Sequence, residues 1–166
     1  MHTLKPLSRE GIPAALKKAE RYRLLNEPWE AESICRDVLE VDAGNQEALI
    51  TLLLALSDQF GADSSEVEEA RALIPRLDGA YRRAYYSGII CERRAKRLLE
   101  LRSPGKDSVI YDGLRQAMAY YEEAERIRPQ GEDDPLLRWN SCARILMRHP
   151  HLRAASAGVG GEPPFD

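Results

Sequence analysis

The sequence predicts an all-α fold, and three observations carry that prediction. Apolar residues recur at intervals of three and four, the spacing of one helix face. Clusters of Pro, Gly, Asn and Asp cut this pattern into segments of helix length. No window shows the strict alternation of a half-buried strand. The densest signal is Ala31, Cys35, Val38, Leu39 and Val41 followed by Asp42-Ala43-Gly44-Asn45-Gln46-Glu47-Ala48-Leu49, where one helix ends and the next begins within a periodic array.

In chain order, Gly11-Ile12-Pro13 opens the first helix, because Pro is tolerated in a first turn where its missing N–H has no partner to lose. Ala15, Leu16, Ala19, Tyr22 and Leu25 carry its apolar face. Asn26-Glu27-Pro28 breaks it, since the residue before Pro is pushed out of helical geometry. A second helix is expected from about Trp29 to Val41. Leu49, Leu52, Leu53 and Leu56 mark a third. Gly61-Ala62-Asp63-Ser64-Ser65 ends it, and Ser65 with Glu68 reads as a capping box for a short helix to about Leu77. Two long helices follow, about Ala80 to Leu101 and Ser108 to Arg128, separated by the turn Arg102-Ser103-Pro104-Gly105-Lys106-Asp107. A last helix runs from about Pro135 to Arg148. These boundaries give an N-terminal lead over residues 1–11, a helical domain over 12–148 and a Gly-, Ala- and Pro-rich tail over 149–166 that is expected to be disordered.

Composition narrows the function classes. The chain has 166 residues, 43% hydrophobic and 31% charged, enough for one domain with a modest core. A formal net charge of -3 with both signs interspersed offers no long-range field for nucleic acid, so a nucleic-acid partner is not expected. The longest apolar run, Ala48 to Leu56, is too short for membrane insertion, and Met1 to Glu20 lacks a signal-peptide core. Cys35, Cys91 and Cys142 are odd in number and each sits in an apolar pattern, which fits a reducing, cytoplasmic setting.

Comparison of the helical pairs with one another exposes a repeat. The tetratricopeptide pattern of 34 residues, laid on Ile12 to Asn45 without gaps, puts Ala15, Ala19 and Tyr22 in the Trp, Gly and Tyr slots and Ala31, Cys35 and Ala43 in the Ala, Phe and Pro slots. The next unit starts in register at Gln46, with Leu49, Leu52, Leu53 and Leu56 and then Ala70 and Ile74. Ala84, Gly88 and Cys91 with Ala117, Tyr121, Ala124 and Pro129 form a third; Trp139, Cys142, Ala143 and Leu146 fit one further first helix. Over Ile12 to Arg148 the chain therefore resembles the tetratricopeptide repeat (TPR) family. It departs from the pattern at Lys18, in a Leu slot, and in lengthened loops near Asp63 and Pro104.

The resemblance implies antiparallel helix pairs stacked in a right-handed α-solenoid, about three units plus a terminal helix, with the first helices of each pair lining a concave groove. Groove positions mapped in this way include Lys17, Arg23, Ile50, Leu54, Arg82, Tyr85, Tyr86, Ile89, Arg93, Asn140 and Arg144. Apolar and Tyr positions ringed by Arg suit an extended peptide or helix of another protein that is part hydrophobic and part acidic, and Tyr and Arg often carry interface energy. A Lys and Asn set that binds chaperone C-termini in some members is incomplete, because Glu20 and Leu54 stand where Asn is expected. The alternative reading is a self-assembling structural scaffold, a homo-oligomer built through repeat faces.

Catalysis finds no foothold in the sequence. His2 and His149-Pro150-His151 lie in terminal segments without the one-turn spacing of a helix-borne metal site, so no metal or cofactor is expected. Pro104-Gly105-Lys106-Asp107-Ser108 lacks the upstream Gly of a phosphate loop and reads as a turn. Glu66, Glu68 and Glu69, like Glu122, Glu123 and Glu125, read as solvated helix faces. The expectation is a non-enzymatic protein-protein interaction module.

Overall fold

The computed structural model describes residues 1–63 and 65–155. The fold is all-α: a 3-10 turn at Arg9–Gly11 precedes α1 (Ile12–Leu24), α2 (Pro28–Val41), α3 (Gln46–Ser57) and α4 (Ser65–Leu73). A second 3-10 turn at Ile74–Arg76 precedes α5 (Ala80–Glu100), α6 (Asp107–Ile127) and α7 (Asp134–Arg148). Among the described residues there is no strand. The polypeptide folds as helices each packed on the next in sequence, with α3 also touching α1 and α5.

Local chemistry sets the helix ends. Pro13, Pro28 and Pro135 occupy the first turns of α1, α2 and α7, where their missing N–H costs nothing. The Asn45 side chain accepts from the Ala48 N–H at 2.9 Å and caps α3. Asn26, after α1, sits at φ 60, a left-handed conformation that Asn tolerates better than most residues. That kink turns the chain back into α2.

The centre is built from close-packed apolar helices. Leu49, Leu53, Ala55 and Leu56 of α3 are essentially buried, as are Ala19, Ala31, Cys35, Ala70 and Ala117. Small side chains at those positions let neighbouring helices approach, and each buried Leu contributes about 2 kcal/mol. A smaller cluster of Leu16, Val38 and Ala48 is covered by Leu7 and Ile12, which ties the N-terminal lead to the body. Arg9 reinforces it by donating from Nη2 to the Val41 carbonyl at 3.1 Å.

Three boundaries differ from the expectation. The fourth helix ends at Leu73 and tightens into a 3-10 turn, because Pro75 cannot donate to an α-helical ladder. Ser65 begins α4 and does not precede it, so it is not the capping residue of the expected box. The tail does not start at His149: Leu152 is buried at 4% exposure against the core, its N–H donating to the His149 carbonyl. His149 itself is half-buried, with Nδ1 2.9 Å from the Ile145 carbonyl oxygen. Residues 156–166 of the expected tail lie outside the described residues.

Candidate binding cleft

The expected groove residues divide into three groups. Lys17, Arg82 and Arg144 are exposed. Ile50, Leu54, Tyr85 and Tyr86 are half-buried and pack against the core, and Asn140 is half-buried on α7. Ile89 is a correction: at 1% exposure it belongs to the core and cannot meet a partner. Its helix, α5, is covered by α3, α4 and α6, so an apolar residue one turn beyond Tyr85 and Tyr86 faces inward, not into a groove.

The tyrosines form one continuous aromatic cluster. The rings of Tyr85 and Tyr86 meet edge to face at 5.1 Å, Tyr81 stacks on Tyr85 at 6.1 Å, and Tyr85 leans on buried Tyr121 at 5.9 Å. Burial pushes all four phenols up, so they are neutral donors and not phenolates at ordinary pH.

Arg23 and Arg93, expected among the groove cations, are both engaged by Asp58. Arg23 donates from Nε to Asp58 Oδ2 at 2.7 Å and from Nη2 to Oδ1 at 3.2 Å. Arg93 donates from Nη1 to the same Oδ1 at 2.5 Å and to Ser57 Oγ at 3.0 Å. One carboxylate at the end of α3 therefore links α1 to α5. The distance in sequence between these three residues hides the pairing, and only the stacking of α1, α3 and α5 reveals it.

Below that strut lies an open cleft of about 530 Å³, lined by Asn26, Ser57, Asp58, Phe60, Arg93, Lys96, Arg97, Glu100 and Arg138. Of the mapped positions only Arg93 lines it; Lys17, Ile50, Leu54, Arg82, Tyr85, Tyr86, Asn140 and Arg144 do not. Lys96 and Arg97 extend the row begun by Arg93 by three and four residues, a helical spacing that was legible. Arg138 was not, because its place beside Glu92 of α5 depends on how α7 packs on α6.

Behind the cleft sits Glu92, with 0% exposure. Its Oε2 accepts the Tyr121 O–H at 2.6 Å, while Oε1 has no hydrogen-bond partner. Two cations face this carboxylate without bonding to it: Lys96 Nζ is 3.7 Å from Oε1 and Arg138 Nη1 3.6 Å from Oε2. Burial works against the charge on Arg138, yet the Glu92 carboxylate and Tyr85 outweigh it and hold the guanidinium above its usual value. Glu92 is thus a buried counter-charge that fixes two cations at the cleft wall. Glu92 lies four residues after Gly88 and three before Ala95, on one helical face, and nothing in that spacing names its partners.

The thiols are held in their protonated form. Burial pushes Cys35 up to about 12, burial and the Glu92 charge do the same for Cys142, and Cys91 is raised as well. Among the described residues no group of three or more His, Cys, Asp or Glu could hold a metal ion. No helix among the described residues is long and apolar enough to cross a membrane. No protein family, curated protein or solved structure matches this chain.

Proposed function

We propose that this protein is a non-enzymatic interaction module of TPR type, whose hairpins stack with a right-handed turn and hold a peptide or helix of another protein on the side formed by α1, α3, α5 and α7. The observation that carries this reading is the open cleft whose charged side chains are already fixed by ion pairs across separate helices. A preformed charged surface loses little free energy to ordering when it binds. Half-buried Tyr85 and Tyr86 add an apolar shelf, so a part-acidic, part-hydrophobic segment is the expected partner.

The test is affinity capture from native extract with the wild type and with an Arg82→Glu, Tyr86→Ala, Arg144→Glu variant that folds normally by circular dichroism. Capture of the same partners at the same yield by the wild type, by this variant and by an Arg93→Glu variant of the cleft would rule the reading out. Self-assembly is the second reading, favoured by apolar side chains left in solvent: Leu24 at 81%, Leu25 at 61% and Trp29 at 56% around the α1–α2 turn, and Leu137 at 59% and Met147 at 79% on α7. A mass by light scattering that stays monomeric through the micromolar range would remove it.

A further inference from the structure

We infer that the cleft beside α7 is an oxyanion subsite, built for the carboxylates or phosphates of an acidic peptide, and that Asp58 occupies half of it from within. This rests on the proposed binding of a partner peptide and names the group that the partner presents. Four cations, Arg93, Lys96, Arg97 and Arg138, line the cleft against two carboxylates, Asp58 and Glu100. The surplus is positive in a chain whose net charge is -3, so positive charge is concentrated here against the average.

Geometry shows which cations are committed. Arg93 is held by Asp58 and Ser57. Arg97 spends Nε on the Phe60 carbonyl at 2.9 Å and reaches Glu100 with Nη1 only at 3.4 Å. Lys96 and Arg138 are anchored by the field of buried Glu92 yet stand beyond hydrogen-bonding distance of it. Lys96 keeps its donors for a ligand, while Arg138 shares its guanidinium between Tyr85 and the cleft. Their side chains are 39% and 35% exposed, open to the cleft yet partly desolvated, where an added oxyanion is attracted more strongly than at a free surface. Asp58 meanwhile shows what the site accepts: a carboxylate bridging two guanidiniums, one of them on the cleft wall.

The experiment is fluorescence anisotropy with labelled peptides at low and raised salt: octaglutamate, octaglutamine, and octaglutamine carrying two phosphoserines. The wild type should bind octaglutamate or the phosphopeptide at least about tenfold more tightly than octaglutamine, with the preference falling as salt rises. The two acidic arms distinguish carboxylate from phosphate as the source. Lys96→Gln with Arg97→Gln should remove most of that preference, both side chains being partly exposed and free of core packing. Asp58→Asn should tighten binding roughly threefold by releasing Arg23 and Arg93.

Equal affinity for the acidic and neutral peptides would overturn the inference, as would unchanged binding by the Lys96, Arg97 variant. Weaker binding by Asp58→Asn, in protein shown to be folded, would mean that Asp58 is a strut and not an internal occupant. An octathymidylate oligonucleotide bound more tightly than either acidic peptide would reassign the cleft to nucleic acid. Failure here with capture still dependent on Arg82, Tyr86 and Arg144 leaves the peptide-binding reading intact; capture that depends neither on these nor on Arg93 removes the reading itself.

Discussion

The helices α1 to α4 and the helices α5 to α7 are held together differently. The first four are short, 9 to 14 residues, and meet through aliphatic and small side chains, with Leu49, Leu53 and Leu56 at 0–1% exposure. Their ion pairs, such as Arg36 with Glu32 and Glu69, lie on the outside. In the second region α5 and α6 are 21 residues each, and a polar unit is driven into their interface. Tyr121 lies against Gly88, where a Cβ would fall 2.5 Å from its ring, and its hydroxyl binds buried Glu92. Apolar packing stabilises without requiring one arrangement of charge outside it. A buried carboxylate does require one, and the cations it gathers, Lys96 and Arg138, face the cleft. The region with the less economical core is the one that shapes the candidate site.

The largest expected effect breaks the aliphatic side of this comparison. Leu53→Ala should cost about 3 kcal/mol by leaving a cavity at a fully buried position, measured by urea unfolding. A loss no larger than that of a surface substitution would mean that α3 is not the centre of the first region. Gly88→Ala comes next, at about 2 kcal/mol, because the added methyl overlaps the Tyr121 ring and both belong to packed helices.

Tyr121→Phe should follow at about 1.5 kcal/mol, since it leaves Glu92 without its hydrogen-bond donor. Combined with Glu92→Gln in a double-mutant cycle, it should be clearly non-additive. Additive losses would show that the two regions are held alike. Asp58→Asn should cost below about 1 kcal/mol, because its partners are partly exposed and screened, so its effect is expected in ligand binding and not in unfolding. The smallest effect is on the thiols. Cys35 and Cys142, with pKa pushed up to about 12, stay protonated and covered at pH 8. Ellman's reagent should leave both unmodified in the native protein and reach them only on unfolding.

Helix boundaries were legible because they rest on local chemistry: Pro28 and Pro135 in first turns, Asn45 as a cap, and three-and-four apolar spacing. Misses occurred where a contact crosses the chain. Leu152 lies beyond the His149-Pro150 helix stop, and nothing local announces that it is buried against the core. Ile89 and Tyr85 are both apolar-faced positions on one helix, and which of them is covered depends on the angle at which neighbours lie. Arg23 and Arg93 are expected at the groove, and nothing in their spacing shows that Asp58 lies between them.

The sequence by itself determined seven helices, their order and the small residues that let them pair, since propensity, capping and periodicity act within a few residues along the chain. Tertiary structure alone decided which charges meet. Asp58 lies 35 residues from both Arg23 and Arg93, and Glu92 accepts from Tyr121 across 29. Electrostatic interactions depend on distance in space and on burial, neither of which a one-dimensional pattern contains. The cleft therefore came into view only once α1, α3, α5 and α7 were placed together.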